Sequence, residues 1–267
     1  MMDQIKKLRE KTGAGIADCK KALEEAVGDF DRASEILRER GIAKAAKRAD
    51  RQTSEGVIMA EVNDVANEGY MLEINSETDF VARNEQFLDF ADKIFTLLKT
   101  KKPADKEELL NMEFEGATVQ EKLENLSGVI GEKLVISNIA LLTNPAGHVA
   151  GYIHGGGRIG VLVSVNGADA EVARDIAMQV AATNPKYIKP EDVPAAETEK
   201  EKNIYREQLK NEGKPEDMIE KIIGGKLTKF YEEICLNKQP FIKEDKKSVE
   251  QVLAGGAIQK FIRFSLS

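Results

Sequence analysis

The sequence predicts an α+β protein in which a helical N-terminal module precedes a two-part core. Apolar residues recur at three- and four-residue steps in some segments and at every second residue in others, the spacings of amphipathic helices and half-buried strands. A strand–turn–strand–helix order occurs twice within residues 56–184, which indicates a duplicated core. Two charged helical stretches in residues 191–235 carry a narrow apolar stripe, typical of an antiparallel helical hairpin that projects from a core.

The composition is that of a globular chain with a charged surface. Of the 267 residues, 42% are hydrophobic and 32% are charged, and the length allows two or three compact units. The net charge of −7 argues against direct binding of nucleic acid, because phosphate contacts need a basic face. No apolar run is long enough to span a membrane and the N-terminus lacks an apolar signal segment, so we expect a cytoplasmic protein without a membrane partner.

Residues 1–41 are predicted to form a module of three short helices, and residues 42–55 a charged, partly helical linker. Gly28 is expected to end the second helix and Gly41 the third, because glycine adopts backbone angles that other residues resist. The predicted apolar stripe of the second helix comprises Ile16, Cys19, Leu23 and Ala26.

The core is predicted to divide into residues 56–142 and residues 143–267. In the first part, a hairpin of two half-buried strands is followed by two helices, the second over residues 119–134, and by a further strand. In the second part, a hairpin with a glycine turn is followed by a helix, the 191–235 hairpin, a short helix capped by Ser248 and a final strand.

The most unusual local pattern is the run Thr78, Asp79, Phe80 and Val81, at the point where a strand passes into a helix. Thr78 or Asp79 is expected to cap that helix, because a short oxygen-bearing side chain accepts hydrogen bonds from the first N–H groups. Two interpretations of Phe80 remain open. Either it folds back onto the helix as a hydrophobic staple, or it is exposed beside Asp79 and inserts into a partner, as an interface hot spot does.

A second pattern is His154 followed by three glycines at 155–157 and by Arg158. A phosphate-binding loop would need a lysine followed by Ser or Thr, or dinucleotide spacing that leads into a helix, and the sequence has neither. Because a strand pattern follows, a hairpin turn is the favoured interpretation. His154 is either a partner contact or a structural histidine, and the sequence does not separate the two.

The sequence contains no group of residues arranged as a catalytic or metal site. Histidine occurs twice and tryptophan not at all, and no carboxylate pair is spaced for acid–base catalysis. The two cysteines, Cys19 and Cys235, are far apart, which fits neither a disulfide framework nor a zinc site. Cys19 lies on an apolar stripe and is predicted to be a core residue. We therefore expect a protein that is not an enzyme and that needs no cofactor.

A series of short motifs, in order along nearly the whole chain, resembles the elongation factor Ts family. The N-terminal motifs are LREKTGAG at 8–15 and DCKKAL at 18–23. The central motifs are ETDFVA at 77–82, His154 with GRIGVLV at 157–163, and NPKYI at 184–188. The C-terminal motifs are GKP at 213–215, QPF at 239–241 and FIRF at 261–264. Each motif alone is weak, but the ordered set is specific.

The resemblance implies a guanine-nucleotide exchange factor. Such a factor binds the GDP form of elongation factor Tu, disturbs its magnesium and phosphate site and promotes GDP release, so that GTP can rebind. Residues 1–41 would then be a ubiquitin-associated-like module that docks, with the linker, on the GTPase domain of that partner. The 191–235 hairpin would be the projecting coiled coil of the family.

The resemblance also implies which residues bind the partner. In the family an Asp–Phe pair intrudes near the magnesium of the GTPase, and Asp79 and Phe80 match that pair, with Thr78 and Val81 shaping the segment. Arg9 and Ile16 on the N-terminal module are implied to contact the GTPase domain. His154 and Arg158, in the second half of the core, are implied to contact another domain of the partner.

Two other functions remain open at the level of sequence. A nucleotide-binding enzyme that uses the 155–157 loop predicts nucleotide binding by the isolated chain. A peptide-binding or ubiquitin-like adaptor predicts that residues 1–41 alone bind the main partner, and it leaves residues 78–81 without a role.

Overall fold

A computed structural model of the chain describes residues 2–46, 48 and 50–266. The structure is mixed α/β: a helical N-terminal region is followed by strands and helices that include two antiparallel sheets of three strands each. Among the described residues, we find no helix with the length and apolar character needed to cross a membrane.

Three helices form the N-terminal region: α1 (Met2–Thr12), α2 (Ile16–Glu25) and α3 (Phe30–Ala46). Their apolar side chains share one cluster, which includes Leu8 and Cys19. The prediction that Ile16 lies on the buried stripe of α2 is wrong, because its side chain is 57% exposed. Ile16 is the first residue of α2, and a side chain at a helix end has helical neighbours on one side only.

The prediction that the third helix ends at Gly41 is also wrong, since α3 continues to Ala46. Glycine in a helix interior costs only about 1 kcal/mol, which packing contacts can offset. Here glycine permits α3 to approach α7 (Val119–Ile130) closely: a Cβ added to Gly128 would lie 2.7 Å from the Cα of Gly41. The small residues thus bring the N-terminal helices against the core.

The first sheet consists of β1 (Glu55–Val62), β2 (Glu68–Ser76) and β5 (Val135–Thr143), with β2 in the centre. The predicted hairpin corresponds to β1 and β2, which pair antiparallel. The prediction that both strands are half-buried is wrong for β2, where every residue from 69 to 76 is buried. Helices cover one face of β2 and the second sheet covers the other, so both sets of alternating side chains are enclosed.

Helices α5 (Glu85–Lys101), α6 (Lys106–Asn111) and α7 share an apolar cluster with one face of the first sheet. Two short strands lie between α6 and α7; they are β3 (Glu113–Phe114) and β4 (Ala117–Thr118). Helix α7 ends at Ile130 and not at 134 as predicted. The physical reason is Gly131, which has a φ of 90° and turns the chain out of the helix.

The second sheet consists of β6 (His148–His154), β7 (Ile159–Asn166) and β10 (Ala257–Ser265), with β7 in the centre. Its apolar face shares a cluster with α8 (Ala170–Thr183) and α11 (Val249–Leu253). Ser248 caps α11 as predicted, through a capping box with Gln251. A short antiparallel pair precedes α11 and comprises β8 (Pro240–Phe241) and β9 (Glu244–Ser248).

The two sheets pack against each other. Their shared cluster contains Ile58 and Met71 from the first sheet, and Val149 and Leu162 from the second. This packing fixes the position of the β6–β7 hairpin relative to β1, which matters for the site described below.

Helices α9 (Ala195–Asn211) and α10 (Glu216–Ile234) occupy most of the 191–235 region. They contact each other through a small apolar cluster of Leu209, Ile219 and Ile223. The end of α10 is tied to the core, because the carbonyl of Ile234 accepts hydrogen bonds from the N–H groups of residues 186 and 187.

Candidate functional site

Residues 78–81 lie where β2 passes into a single helical turn, α4 (Asp79–Ala82). Thr78 caps this turn, one of the two predicted alternatives, since its Oγ1 accepts a hydrogen bond from the Val81 N–H at 3.4 Å. The turn directs Val81 into the apolar cluster beneath the first sheet. Phe80 points away from that cluster and is 83% exposed. The hydrophobic-staple interpretation of Phe80 is therefore wrong.

Asp79 is the other exposed group on this turn. Its side chain is 48% exposed, and its carboxylate lies 3.3 Å from the guanidinium of Arg83, one helical turn later. A surface ion pair of this kind contributes only about 0–1 kcal/mol, so a partner can replace it at little cost. The turn therefore presents an aromatic ring and an accessible carboxylate side by side.

The backbone of this segment is held by Glu132, a residue that no motif in the sequence indicated. Both carboxylate oxygens of Glu132 accept hydrogen bonds, from the N–H groups of Glu77 and Thr78 and from the Thr78 hydroxyl. Glu132 lies in the turn after α7, in a distant part of the chain. No spacing pattern links such a residue to a loop, so only the tertiary structure identifies it.

The 155–157 turn joins β6 to β7, so the hairpin-turn interpretation is confirmed. All three glycines have positive φ, at 61°, 66° and 95°. The turn lies against β1, because the Gly157 carbonyl accepts a hydrogen bond from the Ile58 N–H at 2.8 Å. A strand follows the turn and not a helix, so the turn lacks the helix N-terminus on which phosphate-binding loops depend.

The position of the turn brings Arg158 next to β1. Its Nη1 lies 2.5 Å from the Oε2 of Glu55. This hydrogen bond raises the pKa of Arg158, and the negative charge of Asp79 acts in the same direction. Glu55 pairs with Ser76 at the end of β2, so Arg158 and the 78–81 segment lie at the same end of the first sheet. Two motifs that are separate in the sequence border one surface of the molecule.

His154, at the end of β6, is exposed. Its Nδ1 lies 3.1 Å from the hydroxyl of Tyr152, the residue two positions earlier on the same strand face. The two rings are tilted by 31° with their centroids 6.0 Å apart. The imidazole is thus oriented by one neighbour and remains accessible to a partner.

Arg9 and Ile16 lie on the N-terminal helices, in a different part of the fold from the other predicted contacts. Both side chains are exposed. Arg9 borders a crevice between α1 and the helices α5 and α7. Neither residue packs in the apolar cluster of the N-terminal helices, so both side chains are accessible to a partner.

The cysteines are unsuited to nucleophilic chemistry. Cys19 and Cys235 are both free and buried. Burial raises the pKa of both thiols, that of Cys235 to about 11, so the reactive thiolate is scarce at neutral pH. Within the described part of the chain, no group of three or more His, Cys, Asp or Glu side chains is arranged to hold a metal ion.

Comparison with known proteins gives a consistent result along the chain. The family model described as Elongation factor TS matches residues 77–267. A relative named elongation factor Ts from Hydrogenobaculum sp. (strain Y04AAS1) is 45% identical, over 99% of this chain and 97% of its own length. Proteins of the same name from Deinococcus deserti and Aquifex aeolicus are each 44% identical. The alignments cover 100% and 99% of this chain, and 99% and 97% of those relatives.

Proposed function

The chain belongs to the elongation factor Ts family, and we propose that its residues 78–81 act inside the nucleotide site of elongation factor Tu. The function of the family is guanine-nucleotide exchange on that partner, and these residues would bring the exchange about. The observation that carries the proposal is the 83% exposure of Phe80, on a turn whose neighbouring residues are held by the core and by Glu132. An exposed aromatic side chain gains free energy when a partner covers it, which makes it suited to be an interface anchor.

The mechanism follows from how GTPases hold GDP. Magnesium and a cradle of backbone N–H groups bind the phosphates together, so a displacement of the elements around them weakens both sets of contacts. Phe80 would insert between those elements as the apolar group. Asp79 would accept hydrogen bonds from the displaced partner groups, and we do not assign it to the metal. No covalent step occurs, so the chain needs no catalytic residue or cofactor.

The direction of the effect is fixed by thermodynamic linkage. If the chain binds nucleotide-free elongation factor Tu more tightly than the GDP-bound form, GDP must bind the complex more weakly by the same factor. GTP then occupies the emptied site and the factor dissociates. Exchange therefore requires only differential binding of two states of the partner.

We extend the proposal to four further partner contacts. Arg9 and Ile16 would bind the GTPase domain, and their exposure on the N-terminal helices supports this. His154 and Arg158 would bind a second domain of elongation factor Tu. Arg158 contacts Glu55, which pairs with Ser76 next to the 78–81 segment, so Arg158 would approach the partner alongside that segment.

We also propose a finer division of the fold. Residues 1–41 would be a ubiquitin-associated-like module joined by the linker 42–55, and residues 191–235 the projecting helical hairpin. The parts 56–142 and 143–267 would be related by duplication. In support, each contains a three-stranded antiparallel sheet whose central strand is the second strand of a hairpin and whose third strand returns after the helices.

The proposal places the protein in the cytoplasm, where elongation occurs, with elongation factor Tu as its partner and without direct contact to nucleic acid or a membrane. The net charge of −7 supports the absence of a nucleic-acid contact, because a surface with excess negative charge is repelled by phosphate.

Two equilibrium titrations test the exchange function. The first measures the affinity of the chain for GDP-loaded and for nucleotide-free elongation factor Tu; the second measures the affinity of GDP for elongation factor Tu with and without saturating chain. We expect both ratios to be far from one and equal to each other. Equal affinity for the two forms of the partner would contradict the proposal. GDP binding by the isolated chain would instead favour a nucleotide-binding enzyme.

A further inference from the structure

Glu132 lies in the turn that follows α7. Its Oε2 accepts hydrogen bonds from the backbone N–H of Glu77 at 3.1 Å and from that of Thr78 at 3.0 Å. Its Oε1 accepts one from the Thr78 hydroxyl at 2.7 Å. The carboxylate therefore uses both oxygens to hold the two residues that immediately precede the exposed turn α4.

A second carboxylate makes the reverse connection. Oε1 of Glu77 accepts a hydrogen bond from the backbone N–H of Lys133 at 2.6 Å, and Oε2 receives the guanidinium of Arg51 at 3.1 Å. Glu132 thus binds the N–H of the residue after Glu77, and Glu77 binds the N–H of the residue after Glu132. Hydrogen bonds from N–H groups to a carboxylate are stronger than those between neutral groups. These reciprocal hydrogen bonds therefore stabilise the contact between the two turns.

The turn that carries Glu132 is itself fixed. Gly131 ends α7 in the left-handed conformation, and the hydroxyl of the buried Ser127 donates to the Glu132 carbonyl at 2.5 Å. The Lys133 ammonium donates to the carbonyl of Arg51 at 3.0 Å. The acceptor side of the contact is thus anchored to a helix of the core.

Phe80 has no such anchor of its own. With 83% of its surface exposed, its ring makes few packing contacts that fix its direction. The backbone of the turn, which begins with the cap residue Thr78, therefore sets the direction of the Phe80 Cα–Cβ bond and hence the region that the ring can reach. A binding group whose direction is fixed in advance loses less conformational entropy when it inserts.

We propose that Glu132 is a positioning residue for nucleotide exchange, which holds residues 77 and 78 so that Asp79 and Phe80 are presented in the conformation that enters the partner's site. This inference rests on the proposed role of residues 78–81. Glu132 touches neither nucleotide nor metal in this account and acts only through the segment that it holds.

The test compares Glu132→Gln and Thr78→Val with the double variant and with Phe80→Ala. Glu113→Gln serves as the matched control, since Glu113 is an exposed carboxylate on β3. Release of labelled GDP from elongation factor Tu is followed by stopped flow over a range of factor concentrations. This separates the saturating release rate from the concentration needed for half-saturation.

We expect Glu132→Gln and Thr78→Val each to lower the saturating rate by about tenfold, the effect of losing a hydrogen bond to a charged group. The double variant should lose less than the product of the two single losses, because both changes disturb the hydrogen bond between the Thr78 hydroxyl and Glu132. Thermal midpoints should stay above the assay temperature. Thr78→Val removes one hydroxyl, which both donates to Glu132 and caps the Val81 N–H, and it leaves the backbone hydrogen bonds to Glu132 in place. It therefore tests the segment even where Glu132→Gln folds poorly.

A second readout reports the position of residue 80 directly. The chain contains no tryptophan, so Phe80→Trp introduces one tryptophan at the site, whose fluorescence can be excited at wavelengths where the five tyrosines absorb little. We expect the fluorescence anisotropy of that residue to fall when Glu132→Gln is added, because the segment gains freedom of movement. A residue with a purely structural role would lower the thermal midpoint and leave both the anisotropy and the saturating rate unchanged.

The outcomes separate the inference from the proposed function. A loss of release with Phe80→Ala, combined with Glu132→Gln and Thr78→Val rates within about twofold of the parent, overturns the positioning role and leaves the proposed function standing. Unchanged release with Phe80→Ala overturns the proposed role of residues 78–81, on which the inference rests.

Discussion

Phe80 and Phe87 lie on consecutive helices of the same segment and have opposite environments. Phe87 is fully buried, in the cluster between the first sheet and its helices, whereas Phe80 is almost fully exposed. Burial of an aromatic side chain stabilises the fold, and an exposed one contributes little to it. If Phe80 binds the partner as proposed, the two residues separate stability from partner binding within a few positions.

The prediction at this scale is a contrast in stability. Phe87→Ala should lower the free energy of unfolding by about 3–5 kcal/mol, because it leaves a cavity in the core. Phe80→Ala should change it by less than about 0.5 kcal/mol, since the side chain lies on the surface. Urea denaturation followed by circular dichroism measures both values. A large loss of stability with Phe80→Ala would mean that its ring packs against the fold.

The sequence predicted part of this site and not the rest. A cap at Thr78 follows from local chemistry, because the hydroxyl and the N–H that it accepts are three positions apart. The exposure of Phe80 does not follow, since the same residues fit a staple. Glu132 and the approach of Arg158 to Asp79 depend on contacts between distant segments, for which one sequence carries no local pattern.

At the scale of elements, the packing of the two sheets depends on small residues. Gly160, on the central strand β7, faces the first sheet. A Cβ at this position would lie 2.4 Å from Cγ2 of Ile58 and 2.8 Å from Sδ of Met71. Both distances are shorter than a normal contact, so the sheets could not keep their present separation with a larger residue.

Gly160→Ala is therefore expected to destabilise the protein by roughly 1–3 kcal/mol through overpacking. Gly225→Ala in α10 is the matched control, because no neighbour lies within 4 Å of the added Cβ. There alanine should stabilise the helix by up to about 1 kcal/mol. Chemical denaturation of the two variants checks the sign of each effect. Equal effects at both positions would contradict the sheet packing described here.

Glycine also explains why two of the predicted helix ends were wrong. Gly131 ends α7 because its φ is 90°, whereas Gly41 continues α3 and lies against Gly128. A glycine that ends a helix and a glycine that lets two helices pack closely look the same in a sequence, because glycine permits a turn but does not require one. Hydrophobic spacing identified the main helices and strands, since burial acts on every turn of a helix and on every second residue of a strand.

At the scale of the whole molecule, the order of elements was predictable but their assembly was not. The β1–β2 and β6–β7 hairpins follow from alternation and turn residues. Their packing through a shared cluster sets β1 against the 155–157 turn, and this contact assembles the surface around Asp79 and Arg158. The packed core thus supports the turn on which Phe80 is exposed.

The central claim is that the exposed Phe80 ring drives GDP release, and stopped-flow measurement of labelled GDP leaving elongation factor Tu tests it most directly. The comparison is between the parent chain, Phe80→Ala and Val65→Ala, a control that truncates another exposed apolar side chain, in the β1–β2 connection. We expect Phe80→Ala to reduce the saturating release rate by at least about tenfold. Val65→Ala should match the parent. Release by Phe80→Ala at the parent's rate, in a folded protein, would contradict the account.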